Sequence, residues 1–539
     1  PPPPEPDPAS YPTDSTNFDN WGNVGLIAEW SDDGLSRSTA LTYWQDEATN
    51  IMVGRVQGRD ADPGGTECRQ YDALGRLSST YTNPTTDDVS ECGPTDPVAG
   101  ARRVDFSYDD YGNLETQIER NVPSDRVTTY ERYKYGSPQD TFVATGDGDD
   151  IHYCRDYGPL GTVSWETDGR GCDEAYRTAY EYDTLGRLVT VNPPLSESTS
   201  FAYYNDWTQV TVTRDTQAFI YGFDRFGNLT DVFNDQTGHW TQITNDAIGR
   251  RRQVDLLWNP EPGDTLTYDP LGRLTAVIHP DDPSTQITYD YAGSVVSVLD
   301  ENLHATTYHY QAFGNPSDRR LAHLVDAANK TTSYGYDTDF GQLDTVTAPM
   351  FRGDRSFSYY SGATGCANGL LASETHPESG TTTYEYDCLG NVVTRTRPGP
   401  EITIYSYDAA GRLSEILDPD TAGTVTMDYD GASRRILLEN SWATIESTYD
   451  DAGRLETVIQ SIAGGPQGQV TSYTYDPLDR LDTITYPSGR IVTHGWDDRN
   501  WLTSLTGAEG SDIEYLSEVL FHKAGLPEYV TYGLSLIHI

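Results

Sequence analysis

Short stretches of alternating side chains recur along the chain, and each ends in an aromatic residue and a turn. TSYTYD from Thr471, TTTYEYD from Thr381 and DTLTYD from Asp264 are examples. Alternating Tyr and Thr suits a pleated strand: every second side chain shares a face, and β-branched and aromatic residues pack well there. The alternation stops at a seven-residue phrase: aromatic, Asp, two variable residues, Gly, Arg or Asn, then Leu or Val. Asp opens a turn because its carboxylate can accept backbone N–H bonds two residues on. Gly, three residues later, meets a hairpin loop's need for positive φ. Leu or Val starts the return strand. Each phrase therefore predicts one β-hairpin with strands of roughly six to seven residues.

The phrase occurs nine times in full, starting at Phe18, Tyr71, Tyr108, Tyr182, Phe223, Tyr268, Tyr386, Tyr407 and Tyr449. Its motif residues include Tyr71, Asp72, Gly75 and Arg76, then Tyr182, Asp183, Gly186 and Arg187, then Tyr268, Asp269, Gly272 and Arg273. They recur as Tyr407, Asp408, Gly411 and Arg412, and as Tyr449, Asp450, Gly453 and Arg454. Seven weaker copies start at Asn245, Tyr289, Tyr310, Tyr336, Tyr429, Tyr475 and Trp496. Starts fall 22, 23, 21 and 21 residues apart from Phe223, and 21, 22, 20, 26 and 21 apart from Tyr386. A near-fixed period of this size predicts a stack of one supersecondary unit, each burying its apolar face against its neighbours. Equivalent tyrosines should then lie beside one another across strands, as aromatic pairs. In three weak copies Asp479, Ser433 and Asn500 stand where Gly is expected. Asp and Asn tolerate positive φ better than most residues, and Ser should do so less well.

The array divides the chain into a Pro-rich linker at 1–17, repeats over 18–530 and an uncertain tail at 531–539. Residues 101–180 are less regular and predict degenerate hairpins with longer loops. The closing LSLIHI breaks the style of the repeats, and reads either as one more apolar strand or as translated sequencing adapter. The chain starts PPPPEPDPAS without Met and reads as an internal piece of a longer protein.

Composition narrows the partners. The net charge of −47 argues against nucleic acid and anionic membranes. No apolar run of about 18 residues could span a membrane. Of 36 basic residues 3 are Lys, a bias that a salt-rich habitat or GC-rich coding would each produce. Six cysteines fall as Cys68 and Cys92, Cys154 and Cys172, Cys366 and Cys388, at separations of 24, 18 and 22. One repeat of offset places two side chains on neighbouring hairpins, so three local disulfides and unpaired core thiols are both open readings. Disulfides would imply an oxidising, extracytoplasmic destination.

Catalytic, cofactor and metal motifs are not found. Starting an EF-hand at Asp147, with Asp149 and Asp150 following, puts Gly158 where the twelfth, acidic ligand belongs. His304 and His309 suit a strand surface. GxSxG, GxxxxGK[ST], HExxH and CxxC are missing. An Asp repeated in most hairpins forms turns; a catalyst needs no such multiplicity.

These phrases resemble the YD repeats of the Rhs family: bacterial Rhs and wall-associated polymorphic toxins, toxin-complex shell proteins and teneurins. The likeness runs from Phe18 to about Leu502 and includes the variant TYPSGR at Thr485–Arg490. It implies an all-β chain of tandem hairpins wound into a spiral β-sheet shell, incomplete in this stretch. It further implies a structural, non-enzymatic role in a secreted or surface-exposed protein that encloses and delivers a C-terminal toxin domain. The family's DPxGL-type cleavage segment is missing; DPLGRL at Asp269–Leu274 is an ordinary repeat. Implied partners are that toxin domain and a delivery-system protein. The competing reading is an adhesin whose Tyr-rich face binds a cell-surface glycan.

Overall fold

A computed structural model describes residues 26–532 apart from 31–35, 47–50, 62–64, 84–101, 122–123, 147–149, 205–207, 216, 236–237, 257–262, 280–282, 314, 338–340, 350–352, 362–365, 400, 419–422, 498–499, 509–511 and 522–526. The Pro-rich stretch, the copy at Phe18, Cys92, Asp147, Asp149 and LSLIHI therefore lie outside the described residues. Among those described there are 43 strands, a 3-10 turn at Glu174–Tyr176 and no α-helix. The all-β expectation holds.

One hairpin shows how the phrase folds. Asp264–Tyr268 pairs antiparallel with Leu274–Ile278, and Tyr268 faces Leu274, so the first and last residues of the phrase are a cross-strand pair. The register shifts between Thr267 and Tyr268. The same shift precedes Tyr71, Tyr182, Tyr449 and Tyr475. A bulge at the same place in each of these hairpins adds local twist there. The return strand then pairs with the next hairpin, Ala276 opposite Gln286. Every described strand pairing is antiparallel, and the paired strands follow one another in sequence.

The chain forms two compact units, Pro1–Thr129 with Thr307–Tyr405, and Tyr130–Thr306 with Ser406–Ile539. In each, two stretches far apart in sequence come together. In the first unit, strands Leu26–Trp30 and Ser36–Asp46 lie against Asn315–Val325. There Asn121 Nδ2 also donates to Asp387 Oδ2 at 3.2 Å, and the Cys388 N–H donates to Asn121 Oδ1 at 2.9 Å.

Residues 102–180 also form antiparallel hairpins, such as Arg102–Tyr108 with Leu114–Glu119. Ile151–Tyr157 pairs on one side with Ser137–Val143 and on the other with Val163–Thr167. The turn Gly158–Thr162 keeps the phrase's backbone bonds with Gly in place of Asp: Gly158 N–H to Thr162 O at 2.8 Å, and Gly161 N–H to Gly158 O at 3.0 Å. Two further turns of this kind, Asp300–His304 and Asp326–Lys330, escape the sequence pattern because Leu303 and Asn329 replace Gly. Their signal is an Asp directly after an apolar strand, as in VLD and LVD.

Few side chains are wholly buried; the largest among the described residues are Thr403, Cys68, Cys154 and Ser79. Most strand residues are half-buried. With so thin a core, polar ties between neighbouring hairpins become a large share of what fixes one on the next.

Candidate functional site

The Asp of each phrase organises its own turn. Asp269 Oδ1 accepts the N–H groups of Leu271 and Arg273, both at 2.9 Å, and Oδ2 accepts Arg273 Nε at 2.6 Å. The Asp269 N–H reaches Arg273 O, and the Gly272 N–H reaches Asp269 O, each at 3.0 Å. This is a three-residue hairpin loop with its left-handed residue at Gly272, φ 85°. The same bonds recur at Asp72 with Arg76, Asp183 with Arg187, and Asp476 with Arg480. Asp408 and Asp450 likewise hold Arg412 and Arg454 through both oxygens. Asn113, Asn228 and Asn391 reach back in the same way, which explains why Arg and Asn alternate at that position. Hydrogen bonds of this kind hold the Asp183 and Asp269 carboxyls below the ordinary aspartate range, the first through the Arg187 N–H and the second through the Arg273 N–H.

Arg does a second job that Asn cannot. Arg273 NH1 donates forward to Asp290 O in the next turn at 2.9 Å, and its guanidinium lies 4.6 Å from the centre of the Tyr289 ring. Tyr289 answers by donating its hydroxyl to Leu274 O at 2.8 Å. The whole clamp repeats at Arg250 with Tyr268 and at Arg412 with Tyr429, where the arginine NH1 groups reach Asp269 O and Asp430 O at 3.2 and 3.1 Å. Arg434 with Tyr449 and Arg454 with Tyr475 keep the ring contact and the tyrosine bond without the forward carbonyl bond. At the last weak copy Trp496 takes over, its ring 5.8 Å from Arg480 and its Nε1 donating to Leu481 O at 2.8 Å. Arg76 and Arg187 lie over Tyr108 and Tyr203. This corrects the expected tyrosine ladder. In these repeats the neighbour of a phrase Tyr is the guanidinium of the preceding turn, which satisfies the half-wet ring face and the turn carbonyl together. A Tyr–Tyr ring contact does occur between Tyr360 and Tyr386, with centroids 6.4 Å apart.

The departures from the phrase mark where distant stretches meet inside the second unit. Asp479, at φ 65°, accepts Ser196 Oγ at 2.5 Å, Arg454 NH1 at 2.7 Å and the Arg214 guanidinium. Burial pushes its carboxyl up, but these donors outweigh that and leave it below the ordinary aspartate range. Asn500 accepts from Gln217 Nε2 at 3.3 Å and Arg480 NH1 at 2.9 Å. In the copy at Tyr429 Ser433 occupies the left-handed position at φ 60°, against its weak tolerance, while Gly stands two places earlier. A Cβ on that Gly431 would sit 2.8 Å from Gly169 O, and one on Gly169 would sit 2.5 Å from Gly431 O. Two backbones approach too closely there for any side chain. The odd residues stand out in the sequence but their purpose does not, since Ser196, Arg214 and Gln217 each lie more than 200 residues from the residue they bond.

Cys154 and Cys172 form a disulfide with Cα atoms 5.3 Å apart, and Cys366 and Cys388 form another at 4.7 Å. Cys68 is buried, and its suggested partner Cys92 lies outside the described residues. Beside the first disulfide stand Asp140 and His152, which sequence reading did not single out because nothing in their spacing relates them to the cysteines. His304 is an exposed turn residue paired with Asp300, and His309 stacks on His323 with centroids 4.3 Å apart.

Two concavities lie within the second unit. One, of about 490 Å³, is lined by Glu166, Asp168, Ser196, Asp451, Arg454 and Asp479 among others. Three of its carboxylates are engaged: Glu166 by Tyr180 and Arg155, Asp168 by Arg170, Asp479 as above. The other, of about 510 Å³, is an open apolar groove of Ile220, Phe223, Phe233 and Trp240, where Asp231 accepts the Trp240 Nε1–H at 3.0 Å.

An array of antiparallel hairpins, tied turn to turn by Asp, Arg and Tyr, defines a structural repeat protein of the YD-shell kind. Residues 161–360 match the Teneurin YD-shell family, and residues 367–401 and 449–491 match the RHS Repeat family, so the chain carries RHS/YD repeats over these stretches. No curated protein matches it in sequence. Its fold is similar to the crystal structure of TcdB2-TccC3-TEV, with TM-score 0.66 and 14% identity over 94% of this chain and 35% of that one. It is similar to TcdB2-TccC3-Cdc42 with TM-score 0.65 and 14% identity, over 90% of this chain and 32% of that one. A Tc holotoxin pore of Photorhabdus luminescens gives TM-score 0.64 and 12% identity, over 94% and 37%. At these identities the likeness is one of fold. The chain spans about a third of the length of those chains. Among the described residues no helix is long and apolar enough to cross a membrane.

Proposed function

We propose that this chain is wall material of a secreted or surface-exposed Rhs-type shell that encloses a toxin domain of the same polypeptide. The observation that carries the reading is the forward clamp. Arg250, Arg273 and Arg412 lock the next hairpin by a carbonyl bond and a ring contact, and Arg434 and Arg454 by the ring contact, so hairpins extend into wall without each needing a core of its own. Likeness of fold to Tc toxin structures supports the same role. The mechanism is confinement: a sheet whose edges are paired by successive hairpins excludes protease and offers no edge for aggregation. No residue of this chain acts as a catalyst in it.

The test is limited proteolysis of the natural full-length protein. A segment outside the array should stay uncut while the array is folded and become cleavable once the array is denatured. Cleavage of every flanking segment at the rate of a free peptide would overturn the reading. A second reading, glycan adhesion, is favoured by the groove at Phe233 and Trp240, whose rings meet edge to face at 6.3 Å. Glycan-array binding lost in Trp240→Ala would favour it over confinement.

A further inference from the structure

The Cys154–Cys172 disulfide has two neighbours that a structural crosslink does not require. Asp140 and Cys154 face each other across a strand pair, and His152 shares a strand face with Cys154 two residues on. The Cys172 loop returns to them through backbone bonds between His152 and Gly169 and between Gly171 and His152, at 2.9 and 3.0 Å. One donor atom from each of Asp140, His152, Cys154 and Cys172 lies within 4.8 Å of the others.

We propose that these four residues are a redox-gated zinc site, a covalent clasp when oxidised and a tetrahedral metal clasp when reduced. The ligand set is two sulfurs, one imidazole and one carboxylate, all of them zinc donors. Zinc bonds of about 2.3 Å to sulfur and about 2.0–2.2 Å to nitrogen or oxygen put tetrahedral ligands roughly 3.3–3.8 Å apart. His152 Nε2 lies 3.3 Å from Cys154 Sγ and 3.6 Å from Cys172 Sγ, and Cys172 Sγ lies 3.7 Å from Asp140 Oδ1. Three of the tetrahedral edges are thus already in place. The sulfurs must part by roughly 1.7 Å. Cys172 can supply that movement, because Gly169 and Gly171 flank it closely at φ 102° and 103°.

Surroundings complete the site. Asp140 is 3% exposed and Cys154 1%, so water competes poorly. Arg132 holds the other oxygen of Asp140, while Oδ1 faces Cys172 Sγ and bonds His152 Nε2 at 2.8 Å, a hydrogen bond that zinc would replace by drawing the two ligand atoms roughly 0.5 Å apart. Two thiolates and a carboxylate around a divalent ion leave one negative charge, which the Arg132 guanidinium offsets. Phe142 stacks on His152 with centroids 4.0 Å apart and fixes the ring plane. Partners of this type orient ligands in metal sites.

The chemistry balances with a thiol reductant of the dithiol class. The bond between the two sulfurs breaks as two electrons and two protons arrive from the dithiol, which closes its own disulfide. Zinc binding then releases the two thiol protons to solvent.

The test uses the full chain, reduced under nitrogen with a phosphine, which does not compete as a thiolate, and titrated with Co²⁺ alone. The expected result is a thiolate-to-cobalt charge-transfer band that saturates at one ion per chain and is displaced by Zn²⁺. Oxidised protein and C154S/C172S, which keeps the other cysteines, should lack it. His152→Ala should weaken binding by roughly tenfold or more. Reduced wild type without the band, or C154S/C172S binding as tightly as wild type, would overturn the site. So would undiminished binding by His152→Ala, or a reduced chain that loses its β circular dichroism and does not regain it with Zn²⁺.

Discussion

Replacing Asp479 with Gly restores the majority residue of the repeat, and the sequence pattern alone would predict a gain. The structure predicts a loss. Gly relieves a left-handed backbone worth roughly 1 kcal/mol at most for a residue as tolerant as Asp. Its greater freedom in the unfolded chain returns about 0.5–1 kcal/mol of that, so the backbone terms nearly cancel. What remains is the carboxylate. The Ser196 hydroxyl bond contributes about 1 kcal/mol. Asp479 is 36% exposed, so its pairs with Arg214 and Arg454 are partly screened by solvent. They contribute about 0.5 kcal/mol each. The net loss is about 2 kcal/mol, roughly 30-fold in a local opening equilibrium. A reporter stands beside it: the Glu197 N–H donates to Pro477 O at 3.2 Å, joining the same two stretches. Native-state amide exchange at Glu197 should therefore quicken by that factor in Asp479→Gly, and by less in Asp479→Asn, which keeps an acceptor oxygen. Exchange that is unchanged or slower in Asp479→Gly would refute the assignment of Asp479 as a tie between distant stretches.

Other perturbations follow from the same geometry. Arg273→Lys should destabilise by about 1–2 kcal/mol in urea unfolding, because an ammonium cannot serve Asp269, the Asp290 carbonyl and the Tyr289 ring together. An unchanged midpoint would dismiss the forward clamp. Gly431→Ala should lower the melting temperature, since its Cβ meets backbone; a neutral result would mean the two loops part freely. Asp183, Asp224 and Asp269 have folded pKa values below the ordinary one. Their contribution is thus complete above about pH 4 and is lost as pH falls through the lower folded values, so acid should melt the array before neutral pH does. Tyr180 and Tyr384 are pushed up to about 12 by burial and by donating to Glu166 and Glu374. Their raised pKa is a stabilisation present below about pH 10 and lost as pH rises through the folded value. The Tyr180→Phe, Tyr384→Phe double variant should show a flatter alkaline limb in unfolding experiments.

Sequence by itself determined the hairpin. Alternation of Tyr with Thr, an Asp at the strand end and a Gly three residues later are local requirements, met within one turn, and Asp269 to Leu274 folds as they dictate. The period determined the class of architecture for the same reason, since a repeated unit can only stack on copies of itself. Arg was legible as a turn residue, because its bond to Asp lies within the phrase, but its grip on the next Tyr was not. Contacts between stretches far apart in the chain belonged to the tertiary structure alone. Nothing local says that Asp479 faces Ser196, that Gly431 lacks a side chain because Gly169 is there, or that Asp140 and His152 stand beside a disulfide. Those pairings depend on where one pass of the array comes to rest on another. That position is the sum of small twists over many hairpins, which no single repeat encodes.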